Sequence, residues 1–161
     1  MPRPGFRLYR VIAESHGASV AHYGLLPDRS WECNLDHVER LILLHDREKS
    51  ARGNRTVVRG ILVNNLSNLT GAVHREEHLM DIVRLAERYR VPILAVEIYS
   101  DITFDTSVFH PMVNVAARLG YGVPALSASV AGARPRKRFV RYESRRMIGK
   151  VSHTVEFLIR L

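Results

Sequence analysis

The sequence predicts an α/β fold, a mainly parallel sheet with flanking helices, and three observations carry that expectation. Two short apolar runs, Ile61-Leu62-Val63 and Ile93-Leu94-Ala95-Val96, read as buried strands. Between them lies a segment of helical period, with Leu79, Ile82, Val83 and Ala86 on one face. Strand, loop, helix and strand at this spacing make a βαβ unit, whose two strands lie parallel. Helix and strand patterns also alternate elsewhere, without internal repeats or low-complexity segments.

Taken in order, residues 4–16 read as a helix with Phe6, Tyr9, Ile12 and Ala13 on one side and Gly17 as its stop. Ser19 to Tyr23 is a short strand, and Pro27-Asp28-Arg29-Ser30 a turn. Asn34 is placed to cap a helix whose apolar face is Leu35, Val38, Leu41 and Ile42. Residues 45–56 have no apolar period and read as a surface loop. After the βαβ unit, Pro111 to Leu119 forms a short helix through Met112, Val115, Ala116 and Leu119, ended by Gly120 and Gly122. Val123 to Ser127 is the last convincing strand, and Thr154 to Leu161 turns apolar again.

A chain of 161 residues can bury one core, and 46% hydrophobic with 25% charged residues fits a soluble globular domain. No apolar run approaches the ~18 residues of a membrane span, and the opening MPRPGFRLYR lacks a signal peptide's apolar stretch. The single Cys33 excludes an internal disulfide framework and fits a reducing, cytoplasmic setting. The net charge of +8 is concentrated: residues 134–150 carry eight Lys or Arg against one Glu, a net +7. Such a block can hold a nucleic acid or another polyanion. With only Phe139 and Tyr142 available for stacking, a solvated tail is the favoured reading.

In open α/β sheets ligands bind beyond the carboxyl ends of the strands. Asn64, Asn65, Ser67 and Asn68 follow the first central strand, and Glu97 and Tyr99 the second, so polar groups collect at one edge. His74-Arg75-Glu76-Glu77-His78 has a zinc-peptidase-like spacing, with both histidines placed on one helix face. No third ligand is identifiable, and two acids in a first helical turn suit the helix dipole, so no metal site is expected.

The stretches NNLSNLTG at 64–71 and PILAVEIYSDITF at 92–104, preceded by residues 2–41 from PRPGF to HVERL, resemble ordered motifs of the class I/II aminotransferases. These are the fold-type-I pyridoxal-phosphate enzymes. The resemblance covers roughly residues 2–130, with the 45–56 loop as an insertion, and fades after Ala131. It implies a partial pyridoxal-phosphate-binding large domain over 1–131 and a basic, divergent tail over 132–161. It further implies amino-group transfer between an amino acid, tyrosine or another aromatic, and a 2-oxo acid, in a homodimer.

Residue by residue, Phe6 matches the aromatic that stacks on the cofactor ring. Asn68 and Tyr99 match the pair that reaches the ring oxygen. The lysine that forms a Schiff base falls on Ala133 in an ungapped register and on Lys137 when four extra residues are allowed. The phosphate-binding arginine is correspondingly Arg141 or Arg145; Lys137 with Arg145 is the preferred register, and Lys137 as one more solvated cation stays open. Two departures stand out. Leu66 and Leu69 replace loop prolines, and Val96 replaces the aspartate that pairs with the pyridine nitrogen. Neither the family's Gly/Ser phosphate loop nor its C-terminal domain is matched, so the expectation is an impaired fragment. The alternative is a catalytically inactive remnant that at most binds polyanions through its tail.

Overall fold

The structure, a computed structural model, describes residues 1–51, 58–100, 103, 107–121 and 127–128. At its centre β4 (Ile61–Asn64) and β5 (Ile93–Val96) pair in parallel, from Ile61 against Ile93 to Asn64 against Val96. Their crossover is α3 (Glu76–Tyr89), so the expected βαβ unit is present. Glu76 and Glu77 occupy the first turn of α3, where the helix dipole favours anions. Arg90 ends the helix in the left-handed conformation at φ 52°, with the Val91 N–H returning to the Ala86 carbonyl at 2.9 Å. The buried face of α3 is the predicted one: Leu79, Ile82, Val83 and Ala86, joined by Leu85. β6 (Ser127–Ala128) adds a third parallel strand beside β5, while Val123 to Leu126 lie outside the described residues.

The N-terminal part contributes β1 (Pro2–Arg3), α1 (Arg7–Ser15), β2 (Tyr23–Leu26) and β3 (Glu32–Cys33). β1 runs parallel to β2, and β2 turns back antiparallel to β3 through a 3-10 turn at Pro27–Arg29. This small mixed sheet was not expected. The strand anticipated at 19–23 begins only at Tyr23, because strands form where partners are available, and β1 and β3 meet Tyr23 to Leu26. The first helix begins at Arg7 rather than residue 4. Pro4 and Gly5 hold the chain in a bend so close that a β-carbon at Gly5 would collide with the Pro2 carbonyl.

α2 (Leu35–Ala51) is capped by Asn34, whose Oδ1 accepts from the His37 N–H at 3.0 Å. It corrects the loop expected from residue 45. The segment is rich in Arg, Glu, Lys and Ala, good helix formers that need no apolar period once a helix is nucleated against the core by Val38 and Ile42. α4 (Met112–Arg118) follows as expected and packs against α3. Val63, Leu79, Ala95, Met112 and Val115 are fully buried, and they set the core between the parallel sheet, α3 and α4. The Arg3–Pro4 and Asn65–Leu66 peptide bonds are cis.

Candidate functional site

The parallel register brings the ends of β4 and β5 level, and the chain leaves both strands at one edge. The loop after β4 is pinned there by its own backbone. The Asn65 N–H donates to the Val96 carbonyl at 3.0 Å, Ser67 N–H to Ala72 carbonyl at 3.1 Å, and Gly71 N–H to Ser67 carbonyl at 2.9 Å. Gly71 has φ 67°, a turn conformation that a side chain would strain. The Asn64 amide nitrogen is best placed donating to the Val96 and Leu66 carbonyls, at 3.3 and 3.2 Å, which ties the two strand ends together. Asn68 approaches Asn64 amide to amide at 3.4 Å. It is half-buried, and its other amide atom makes no hydrogen bond among the described residues.

An aromatic pair stands at the start of α1. The Phe6 ring is 42% exposed, so it is not a core residue. Tyr9 meets it edge-on, with centroids 5.5 Å apart and planes at 74°. Burial pushes the Tyr9 phenol up from its ordinary value, and the neighbouring Tyr99 adds to that push. Phe6 and Tyr9 thus form an aromatic pair at the start of α1, with Tyr99 near enough to act on the Tyr9 phenol electrostatically. In the sequence Tyr9 was legible only as a helix-face residue.

Pro2 and Pro4, just before Phe6, share a small pocket with Asn64, Ser67, Tyr23, Trp31, Cys33 and His74. Its free space, about 10 Å³, suits a single water and not a ring. Behind it runs a polar seam. The Tyr23 hydroxyl donates to the Leu62 carbonyl at 2.8 Å, and the Cys33 N–H to His78 Nε2 at 3.0 Å. His78 Nδ1 lies 3.8 Å from the Glu32 carboxylate, which Arg75 also grips at 2.7 Å. The His74 N–H donates to the fully buried Asn65 side chain at 3.0 Å. Burial holds His74 down to about 4, with His78 adding to the effect against the opposing pull of Glu32. Burial raises the Cys33 thiol to about 11, so it is a protonated, unreactive group at neutral pH.

Two site expectations are corrected. His74 precedes α3, so it does not share a helix face with His78. Both histidines instead join β3 to α3, and among the described residues no cluster of three or more His, Cys, Asp or Glu could hold a metal ion. Glu97 is buried, and its Oε1 accepts the Met112 N–H at 2.7 Å at the start of α4. Burial pushes this carboxyl up, while the Met112 bond pulls it down. Val96 is half-buried on the opposite side of β5, as strand alternation requires. Lys137, Arg145 and their alternatives Ala133 and Arg141 lie outside the described residues, as does the basic tail over 132–161.

A parallel sheet with crossover helices and polar turns at its carboxyl edge is the α/β arrangement in which ligands are bound beyond the strand ends. The model of aminotransferase class I and II matches residues 1–131, and the chain belongs to that family. Tyrosine aminotransferase of Mus musculus is 46% identical over 127 residues, which are 79% of this chain and 24% of that protein. An aminotransferase from Escherichia coli superposes with a TM-score of 0.59 at 30% identity, over 72% of this chain and 26% of that one. The PLP-bound C-S lyase from Staphylococcus hominis shares the fold, with a TM-score of 0.58 at 18% identity over 72% of this chain and 28% of that one. The chain therefore spans about a quarter of the length of the relatives it matches. No described helix is long and apolar enough to cross a membrane.

Proposed function

We propose that this chain provides the ring-facing part of a pyridoxal-phosphate site in an aminotransferase that exchanges an amino group between an amino acid and a 2-oxo acid. The observation that carries this reading is that β4 and β5 bring Asn68 and Tyr99 out at one carboxyl edge, in a chain that also presents an exposed aromatic pair, Phe6 with Tyr9. The group fits the cofactor on two sides. An exposed flat ring, Phe6, can lie against the pyridine face, and Asn68 and Tyr99 can hydrogen-bond its ring oxygen. It does not fit at the ring nitrogen, where Val96 offers neither charge nor acceptor. When bound, the cofactor supplies the electron sink of the reaction. Lys137 is the residue proposed to carry it and Arg145 the one to hold its phosphate. The match to tyrosine aminotransferase supports tyrosine or another aromatic amino acid as substrate. A homodimer in the cytoplasm is the assembly and location that accompany this reading. The end of the family match at residue 131 supports a large-domain segment over 1–131 and a separate basic tail over 132–161.

A second reading, a catalytically inactive cofactor-domain remnant, is favoured by one observation, the valine at 96 beside a glutamate committed elsewhere. In that case the +7 block over 134–150 is the remaining binding element, and it takes polyanions. The two separate in one experiment. The protein is incubated with pyridoxal phosphate, reduced with borohydride and mapped for the labelled lysine, with amino transfer to 2-oxoglutarate measured in parallel. Stoichiometric label at Lys137 with turnover supports the aminotransferase. Scattered label without turnover, and heparin retention that falls steeply with salt, supports the remnant.

A further inference from the structure

We propose that this site, on the cofactor reading above, selects a pyridine ring whose nitrogen is uncharged. β5 alternates strictly: Ile93, Ala95 and Glu97 are buried, whereas Leu94 and Val96 stand on the more open face. The last strand position on the open face is therefore a hydrocarbon. Among the described residues the acid beside it is Glu97, which points the other way and is spent on the Met112 N–H at 2.7 Å. To reach a ring over Val96 it would have to leave the first turn of α4 and cross the plane of the sheet.

The remaining described groups at the edge are neutral. Asn64 spans the Val96 and Leu66 carbonyls, Asn68 lies against Asn64, and Tyr99 follows β5 at the same edge. The other buried acid near the pocket, Glu32, is held by Arg75 and faces His78. Among the described residues, then, nothing at this edge can offset a positive ring nitrogen. A pyridinium placed against Val96 would lose its hydration without gaining a counter-charge, which disfavours the charged form. Stacking on Phe6 and the hydrogen bonds to Asn68 and Tyr99 depend on the ring's face and oxygen. They are kept when the nitrogen is neutral.

The test uses three ligands without an aldehyde, so that surface lysines do not react: pyridoxine 5′-phosphate, its 1-deaza analogue with CH in place of the nitrogen, and its N-methyl analogue, which is permanently cationic. Binding is read from quenching of Trp31, the single tryptophan, which lines the pocket with Asn64 and Ser67. The full chain should bind the first two within about threefold of each other and the N-methyl compound at least about tenfold more weakly, a difference of ~1.4 kcal/mol. Val96→Asp should reverse the order and favour the N-methyl compound, whereas Val96→Asn, polar but uncharged, should not. Equal or tighter binding of the N-methyl compound by the unaltered chain would overturn the inference while leaving the cofactor reading intact. So would a loss of more than about tenfold for the deaza analogue. Absence of binding for all three ligands would overturn the cofactor reading and this inference together.

Discussion

The face of α3 that covers β4 and β5 and the seam that fastens β3 to α3 are both buried, yet different forces hold them. The first is hydrocarbon: Val63, Leu79, Ile82 and Ala95 are at most 2% exposed and interlock without a polar atom among their side chains. The second is polar: Glu32, Cys33, His74, His78 and Asn65 are at most 7% exposed and are linked by the Cys33 N–H to His78 and the His74 backbone N–H to Asn65. Burying apolar area stabilises at any pH, whereas a buried imidazole stabilises only while it is neutral. The two regions should therefore fail under different conditions, although they meet on one helix, where His78 directly precedes Leu79.

The largest effect is expected at the apolar face. Leu79→Ala deletes a fully buried side chain and leaves a cavity between α3 and the sheet. It should cost about 3 kcal/mol, measured as a drop in the urea midpoint, and the cost should be the same at pH 5 and pH 7.5. Leu69→Ala, at a position 57% exposed on the β4 loop, should stay within about 0.5 kcal/mol. A pH-dependent cost at Leu79 would mean that the two regions are not separable.

The seam should give the second effect. His74 is held to about 4 in the folded chain against an ordinary 6.5, and burial and Glu32 act on it in opposite directions. A folded value below the unfolded one contributes stability that is complete above the unfolded value and is lost as pH falls toward the folded one. Between pH 6.5 and 4 the loss should reach roughly 3 kcal/mol. His78, also lowered by burial, adds to the same limb. Urea unfolding in that window should show the decline, and His74→Phe, which keeps a ring beside Cys33, should flatten much of it. A profile unchanged by that substitution would assign the acid sensitivity to other groups.

This division also explains what the sequence made legible. The α3 face follows from Leu79, Ile82, Val83 and Ala86, because helical burial has a period and a period is visible in one dimension. The βαβ unit and the carboxyl edge follow from the same logic. The seam has no period: Cys33 and His78 are 45 residues apart and meet only because β3 lies over the start of α3. The H-x-x-E-H spacing invited a metal reading, since spacing alone cannot show that His74 sits before the helix. Likewise α2 continued through a polar stretch because propensity carried it, where an apolar period was the signal sought. The expectations for Phe6, Asn68 and Tyr99 came from motif order. That Glu97 bonds the start of α4, and that Tyr9 meets Phe6 edge-on, became visible only with the packing of α4 and α1.

The smallest effect sharpens the comparison at the point where the two kinds of burial touch. Glu97 directly follows a strand of the apolar core yet carries a carboxylate, and burial raises it above its ordinary value while the Met112 N–H partly offsets the rise. An acid whose folded value is raised contributes stability below its unfolded value, and that contribution is lost as pH climbs through the folded value. Its direction is thus opposite to that of His74. Glu97→Gln keeps an acceptor oxygen for the Met112 N–H and removes the charge that burial penalises. At pH 7.5 the substitution should leave the protein as stable, or more stable by up to about 1 kcal/mol, and the advantage should vanish at pH 4, where the native side chain is already protonated. Glu97→Ala, which leaves that N–H buried without a partner, should instead destabilise at both pH values, by about 1–2 kcal/mol. If Gln destabilises at pH 7.5 as much as Ala does, the bond to α4 requires a full negative charge. Glu97 would then belong with the partner-dependent seam and not with the core of the βαβ unit.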